Sequence, residues 1–226
     1  MFFRTLFLSL FTVAALAASP QAVVFDFGGV MTGEQHPEVV ASFLRETFSY
    51  SEKDFQMVLE EKRRLNRKGM SDEEFWLRLS LWRRVILPED WISQFRAAMR
   101  ETLNPNEEMF RLVQELKERG VRVAMLSNID ERHAQHVRNL GLYEPFDPCL
   151  LSFEIGVQKP SQEAYQILLS ILQLPGEEVL FIDDKRENVE AAKSVGIDGI
   201  LFDSFEQLLS ELEERGFLVD SACSST

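Results

Sequence analysis

A chain of 226 residues, 45% apolar and 27% charged, has room for one sizeable domain or one domain carrying a smaller insert. Its formal charge of −13 argues against a nucleic-acid surface or an anionic membrane as partner, because both call for a basic patch. A phosphorylated ligand stays open, since one bound divalent cation and one well-placed Lys reverse the local field.

The first eighteen residues carry a separate message. Met1–Arg4 is a short, singly positive n-region, Thr5–Ala17 is an apolar run, and Ala15-Leu16-Ala17 supplies small residues for cleavage. The run is short for a bilayer anchor. Residues 1–18 therefore read as a secretory signal, with a buried N-terminal helix as the competing use of the same residues. The expectation is an exported chain, periplasmic or secreted, with no membrane contact after cleavage; an uncleaved chain would be cytoplasmic. Of the two cysteines, Cys149 reads as a buried thiol and Cys223 as a thiol in a disordered tail, 220–226, so no disulfide framework is expected.

Val23-Val24-Phe25 is a compact apolar run ending in Asp26 and Gly28-Gly29, a buried strand entering a tight turn. Residues 36–103 are helical in pattern throughout. Ser51 with Asp54 and Ser71 with Glu74 look like N-terminal capping pairs, Gly69 separates two helices, and Pro88 is expected to open another that ends near Asn104-Pro105. The rhythm then changes to helix 107–119, strand 121–126 ending in Ser127-Asn128, helix 131–139 and a short apolar segment, 149–151. A loop with Lys159-Pro160 follows, then helix 162–173, strand 179–182 ending in Asp183-Asp184, helix 188–195, strand 199–202 and helix 205–215.

Alternating strands and helices predict an α/β fold, a doubly wound and mainly parallel sheet. Residues 19–35 and 104–219 would form this core, and 36–103 a helical cap inserted after the first strand. Every polar cluster falls where a strand hands over to a loop, the edge at which such sheets bind ligands.

Singly these clusters are weak. An Asp after a strand is often a turn cap, Ser127-Asn128 fits ordinary turn chemistry, and Lys159 alone reads as a solvated side chain. Asp183-Asp184 says more, because adjacent carboxylates at a buried strand end repel unless a cation sits with them.

In order, Val-Val-Phe-Asp26-Phe-Gly28-Gly29-Val30, Met-Leu-Ser127-Asn128, Gln-Lys159-Pro160 and Phe-Ile-Asp183-Asp184-Lys-Arg-Glu-Asn188-Val resemble the motifs of the haloacid dehalogenase (HAD) superfamily. The likeness spans roughly residues 22–203. The helical insert is similar in position to that family's C1-type cap, over a Rossmann-like core. The acidic pair with its trailing Asn188-Val is similar to the phosphatase domain of soluble epoxide hydrolase and to bacterial sugar-1-phosphate phosphatases.

The resemblance implies a Mg²⁺-dependent phosphatase acting on a small phosphorylated metabolite. Asp26 would be the nucleophile that becomes a phospho-aspartate, and Lys159 a catalytic cation that also binds phosphate. Ser127 and Asn128 would cradle the phosphoryl group. Asp26, the Gly28 carbonyl, Asp184 and Asp183 would surround the metal, with Asp184 the more direct ligand. Asp183 could ligate, orient a water or hold Lys159, and Asn188 would fix the last loop.

The pattern departs from the family at Gly28, where phosphatases usually carry a second aspartate that serves as acid and base. Three consequences stay open: a substrate with an easy leaving group, a substitute acid such as Glu34 or His36, or a catalytically silent phosphate-binding module. The superfamily's metal-independent 2-haloacid dehalogenases also lack that aspartate, but Asp183-Asp184 points back to phosphate. His133 and His136, three apart on one helix without a third zinc-type ligand, read as surface histidines. Phe75, Trp76, Trp82 and Trp91 read mainly as packing residues of the cap, with a substrate-selecting place at the opening left open for one or two of them, and Glu60–Arg64 as a solvated helix face.

Overall fold

The computed structural model describes residues 21–66 and 70–218. The expected signal (1–18), Gly69, the expected tail and Cys223 lie outside the described residues.

Five short strands form one all-parallel sheet: β1 (Ala22–Phe25), β2 (Arg122–Ser127), β3 (Cys149–Leu151), β4 (Val179–Asp183) and β5 (Asp198–Leu201), in the order β3-β2-β1-β4-β5. The chain builds outward from β1 to β3, then crosses back to place β4 on the other side of β1. The central strand therefore sits at the switch point, where loops diverge and leave a crevice beyond the strand ends.

Strand residues alternate between two faces. Val23, Phe25, Val123, Met125, Leu180 and Ile182 pack on one side under α5 (Glu107–Glu118), α6 (Glu131–Asn139) and α10 (Phe205–Glu214). Ala22, Val24, Ala124, Leu126, Val179 and Phe181 pack on the other, under α8 (Gln162–Leu172) and α9 (Arg186–Ser194). A single turn of helix, α7 (Ser152–Ile155), follows β3 and has no counterpart in the sequence reading.

Polar side chains set several helix starts, the expected one at Ser71 among them. Ser71 accepts from the Glu74 N–H, Asn106 from those of Glu108 and Met109, Asp130 from that of His133, and Ser204 from that of Gln207. The Asp54 N–H donates to Ser51 Oγ at 3.2 Å. Pro88 does not open a helix. Its carbonyl accepts from the Trp91 N–H at 3.1 Å, so 88–91 is a turn and the helix begins at Trp91.

The insert contains α1 (Pro37–Phe48), α2 (Glu52–Asn66), α3 (Asp72–Arg83) and α4 (Trp91–Leu103). These four helices bury a cluster of their own around Phe48, Phe55, Trp76, Trp91 and Phe95. Trp91 stacks on Phe95 with ring centroids 5.3 Å apart. The linkers into and out of the insert run side by side. The Gly33 N–H donates to the Asn104 carbonyl at 2.8 Å, that of His36 to Thr102 at 2.9 Å, and Asn104 Nδ2 to the Glu34 carbonyl at 3.0 Å.

One expected surface residue is not on the surface. His133 is exposed, with Nδ1 2.6 Å from Asp130. His136, one turn further along α6, is half-buried, and its Nε2 has no hydrogen-bond partner among the described residues. It lines a cavity of about 660 Å³ between α6 and the start of α3, with Ser71, Asp72 and Glu73 of the cap opposite. The helical period places residue 136 beside 133, but only packing of the insert onto the core decides which of them meets the cap.

Burial holds His136 below its ordinary pKa; Lys62 and His133 push the same way, and Asp72 and Glu73 oppose them. The unfolded chain therefore binds the extra proton below about pH 6.5, and the stability from the neutral ring is present above that pH and lost as it falls. Urea titrations should show unfolding free energy declining from pH 7 to 5, with a shallower decline in His136→Met. An unchanged slope in the variant would show that this ring does not carry it.

Candidate active site

Phe25 of β1 lies opposite Ile182 of β4. One step further, the Asp26 N–H donates to the Ile182 carbonyl at 2.9 Å, which carries Asp26 to the level of Asp183 on the adjacent strand. Both side chains alternate to the α8–α9 face. Two buried carboxylates on neighbouring strands repel strongly unless a cation joins them.

Lys159 is that cation. From the loop before α8 its Nζ reaches Asp26 Oδ1 at 2.7 Å and Asp183 Oδ2 at 2.6 Å, and it lies 5.2 Å from the centroid of the Phe181 ring. All three side chains are buried. Burial is the main influence on Asp26 and raises its pKa; Lys159 opposes that shift and Asp183 adds to it.

Asn128 holds Lys159 in place. Its Nδ2 donates to the Lys159 carbonyl at 2.8 Å, and the Lys159 N–H donates to its Oδ1 at 2.9 Å. The cradle expected from the sequence uses backbone N–H groups near Asn128; the side chain of Asn128, unassigned there, bridges two loops from different strands. Ser127, buried at the end of β2, makes no side-chain hydrogen bond among the described residues.

Asp183 and Asp184 part company. Asp183 accepts from Lys159 and from Asn188 Nδ2 (3.0 Å) at Oδ2, and from the Lys185 N–H (2.8 Å) and Asn188 Nδ2 (2.9 Å) at Oδ1. Of the three roles open to it, holding Lys159 is the one its hydrogen bonds display. Asn188 is buried and is itself tied down, its carbonyl accepting from Tyr165 Oη at 2.7 Å. Asp184, on the opposite parity, is exposed.

The carboxylates of Asp26, Asp183 and Asp184 offer oxygens within 4.8 Å of one another. With Lys159 among them the four groups sum to −2, and Asp184 has no cationic partner within the described residues. That donor set suits a hard divalent cation such as Mg²⁺.

Two adjacent glycines behave differently. A Cβ on Gly28 would meet nothing within 4 Å, so the missing side chain leaves open space next to Asp26. A Cβ on Gly29, whose φ is +80°, would lie 2.6 Å from Asp184 Oδ2. The Gly-Gly pair in the sequence signals a turn; that its second member makes room for a carboxylate needed the fold. Of the substitute acids suggested by the sequence, His36 Nδ1 lies 3.3 Å from the exposed Glu38 carboxylate, and Glu34 takes part in the paired linkers through its backbone carbonyl, which leaves its carboxyl uncommitted.

Two outcomes follow from this geometry. Lys159→Met strips the cation from two buried carboxylates and should cost about 3–5 kcal/mol of stability in metal-free urea unfolding; a loss below about 1 kcal/mol would mean the cluster is not charged as drawn. Gly29→Ala should weaken Mg²⁺ binding in calorimetric titration about tenfold or more, with Gly28→Ala close to the parent. Equal effects of the two substitutions would remove the role given to Gly29.

Comparisons with known proteins agree with this architecture. Residues 20–196 match the family model for haloacid dehalogenase-like hydrolases. The chain is 36% identical over 112 residues to sesquiterpene phosphatase astK of Aspergillus oryzae, an alignment that spans 48% of this chain and 57% of that protein. It is 26% identical over 189 residues to a phosphorylated carbohydrates phosphatase of Thermotoga maritima, covering 80% and 83%. It also matches bifunctional epoxide hydrolase 2 of mouse at 29% identity over 134 residues, 57% of this chain but 24% of that protein. Among solved structures, an HAD-like hydrolase from Porphyromonas gingivalis superposes with a TM-score of 0.52 at 24% identity, covering 87% and 98%. An HAD family enzyme from Bacteroides thetaiotaomicron, solved with magnesium and inorganic phosphate, gives 0.50 at 21%, covering 84% and 98%. With the strand order, the inserted helices and the four strand-end motifs in place, the chain belongs to the haloacid dehalogenase-like hydrolases.

Proposed function

We propose that this chain is a Mg²⁺-dependent phosphatase that takes the phosphoryl group of a small phosphorylated metabolite onto Asp26. The observation that carries the reading is the charge arrangement at the strand ends: Asp26 and Asp183 share Lys159, while Asp184 faces the opening with no cationic partner. The phosphatases among the relatives support it.

Asp26, the Gly28 carbonyl and Asp184 would hold the metal, with Asp183 acting one step back through Lys159. When bound, Mg²⁺ supplies positive charge against the phosphate oxygens. An Asp26 oxygen attacks phosphorus, the bond to the leaving oxygen breaks, and an acyl phosphate forms. Lys159 stays beside Asp26 and offers its ammonium to the charge that develops on the phosphoryl oxygens. Ser127 Oγ, free of other partners, donates to the same group. Water then attacks phosphorus, releases inorganic phosphate and restores the Asp26 carboxylate.

The proton for the leaving oxygen has no protein donor at position 28. A positioned acid is typically worth about 10²–10⁴ in rate, so its absence favours leaving groups that need little protonation. The anomeric oxygen of a sugar 1-phosphate is one such group, and the carbohydrate phosphatase among the relatives supports that choice. A second reading rests on the same glycine: a silent module that binds phosphate and turns nothing over.

A panel of phosphate monoesters assayed with Mg²⁺ separates the two. Turnover that falls at least about 10⁴-fold in Asp26→Asn, and vanishes with chelator, is the expected result. Phosphate binding without turnover of any substrate would establish the silent module, and chelator-resistant cleavage of a 2-haloacid would sink the metal reading. Because the space at residue 28 is open, Gly28→Asp should fit and should speed alkyl phosphates by about 10²-fold, more than sugar 1-phosphates. Equal acceleration of both would remove the leaving-group argument.

A further inference from the structure

The net charge is unevenly divided. Residues 36–103 contain twelve Lys and Arg and twelve Asp and Glu, so the cap is neutral and the whole −13 resides in the rest of the chain. Within the cap, residues 75–88 contain Arg78, Arg83 and Arg84 and no carboxylate at all. Averaged over the chain, this basic segment is invisible.

The same segment exposes its apolar side chains. Leu81 is 79% exposed, Trp82 80% and Ile86 95%, with Leu77 one helical turn before Leu81 also exposed. The other two tryptophans, Trp76 and Trp91, are buried. Core packing therefore accounts for Trp76 and Trp91 but not for Trp82. Arg84 ends α3 with φ +56°, turning the chain so that Ile86 follows the exposed end of the helix. Arg83 lies over the Tyr50 ring at 5.2 Å, Arg78 pairs with Glu74, and the Arg84 side chain has no partner among the described residues. Beside this tip an apolar groove of about 880 Å³ runs between α2 and α3, lined by Met57, Val58, Leu65, Phe75, Leu79 and Trp82. Asp54 and Glu61 of α2 stand at its far wall.

We propose that the tip formed by residues 77–86 is an interfacial anchor that seats the cap on an anionic lipid surface. Exposed aliphatic side chains, a Trp and adjoining arginines are the chemistry that enters a headgroup region. Charge complementarity selects this occupant: Arg84, without a partner among the described residues, and Arg83, over the Tyr50 ring, carry the positive charge of the tip. Arg78 is matched by Glu74, and the acidic remainder of the chain, from Glu89 and Asp90 onward, is repelled and stays in solution. A second copy of the chain would bring two arginine-bearing tips together. The anchor rests on the surface and crosses nothing; no helix among the described residues is long and apolar enough to span a membrane.

Trp82 reports on the proposal directly. The full chain is mixed with phosphatidylcholine vesicles, with or without about 30 mol % phosphatidylserine, at low salt. Tryptophan emission should shift to the blue and become quenchable by brominated lipid with the anionic vesicles, and Trp82→Phe should abolish both changes. Residues 1–20 contain no tryptophan, so lipid binding through them alone leaves the signal still. In vesicle sedimentation Arg84→Gln should weaken binding about fivefold, and Leu81→Ser or Ile86→Ser about tenfold or more. These side chains are exposed, so the substitutions leave the fold intact. Emission that ignores anionic vesicles overturns the proposal, as does binding unaffected by the three substitutions. A blue shift that grows with protein concentration without lipid overturns it in favour of self-association.

Discussion

Two buried carboxylates at the same level on adjacent strands set the terms for this structure. The register of β1 against β4 puts Asp26 beside Asp183, and neither can be ionised there alone. Their shared ammonium must come from outside the sheet, so the loop after α7 has to pass over the strand ends and deliver Lys159. That loop is fixed in turn by Asn128 from the end of β2. Three strand ends are thereby locked by hydrogen bonds that exist because two like charges needed one opposite charge.

Such a cluster is weak evidence for stability, because desolvation offsets much of the attraction. Its value lies in position. With both oxygens of Asp183 accepting hydrogen bonds, Lys159 cannot swing away from Asp26 without leaving a buried charge behind. The residual charge then gathers on Asp184, the one member of the acidic pair that faces solvent. Strand alternation divides the labour: the inward carboxylate fixes the lysine, and the outward one is available for a cation. Gly29 completes this division by lacking the atom that would occupy Asp184's place.

Much of this was legible in the sequence, for identifiable reasons. Strand ends that carry Asp26, Ser127 and Asp183-Asp184 announce themselves because buried parallel strands are nearly continuous apolar runs, and polar residues can only follow them. Helix starts were legible where a capping side chain was read, as at Ser71, and misread at Pro88, where a proline opens a turn instead. The different fates of Asp183 and Asp184 were legible in part: Asp184 was expected as the more direct ligand, but which of three roles Asp183 takes depends on the face of β4 on which it lies and on what meets it there. Asn128 bonds to a residue 31 positions away, and His136 meets a helix of the insert; neither contact leaves a local trace. Trp82 was grouped with core aromatics because helical spacing cannot distinguish the inner face of a small bundle from its tip.

The cap links these observations. A neutral insert leaves the whole −13 on the rest of the chain, so a phosphorylated ligand of the kind proposed, itself negative, would approach an acidic molecule. The field of the core alone would slow that approach, and Lys159, spent on two carboxylates, leaves little positive charge to offset it. A divalent cation at Asp184 changes the sign where it matters, and neutrality of the cap keeps the other wall of the crevice from adding to the repulsion. The two linkers, paired backbone to backbone between Gly33 and Asn104, hold the insert beside the opening while its helices bury a core of their own. A unit with its own core is free to specialise at its far end, and that is where the basic, apolar tip lies.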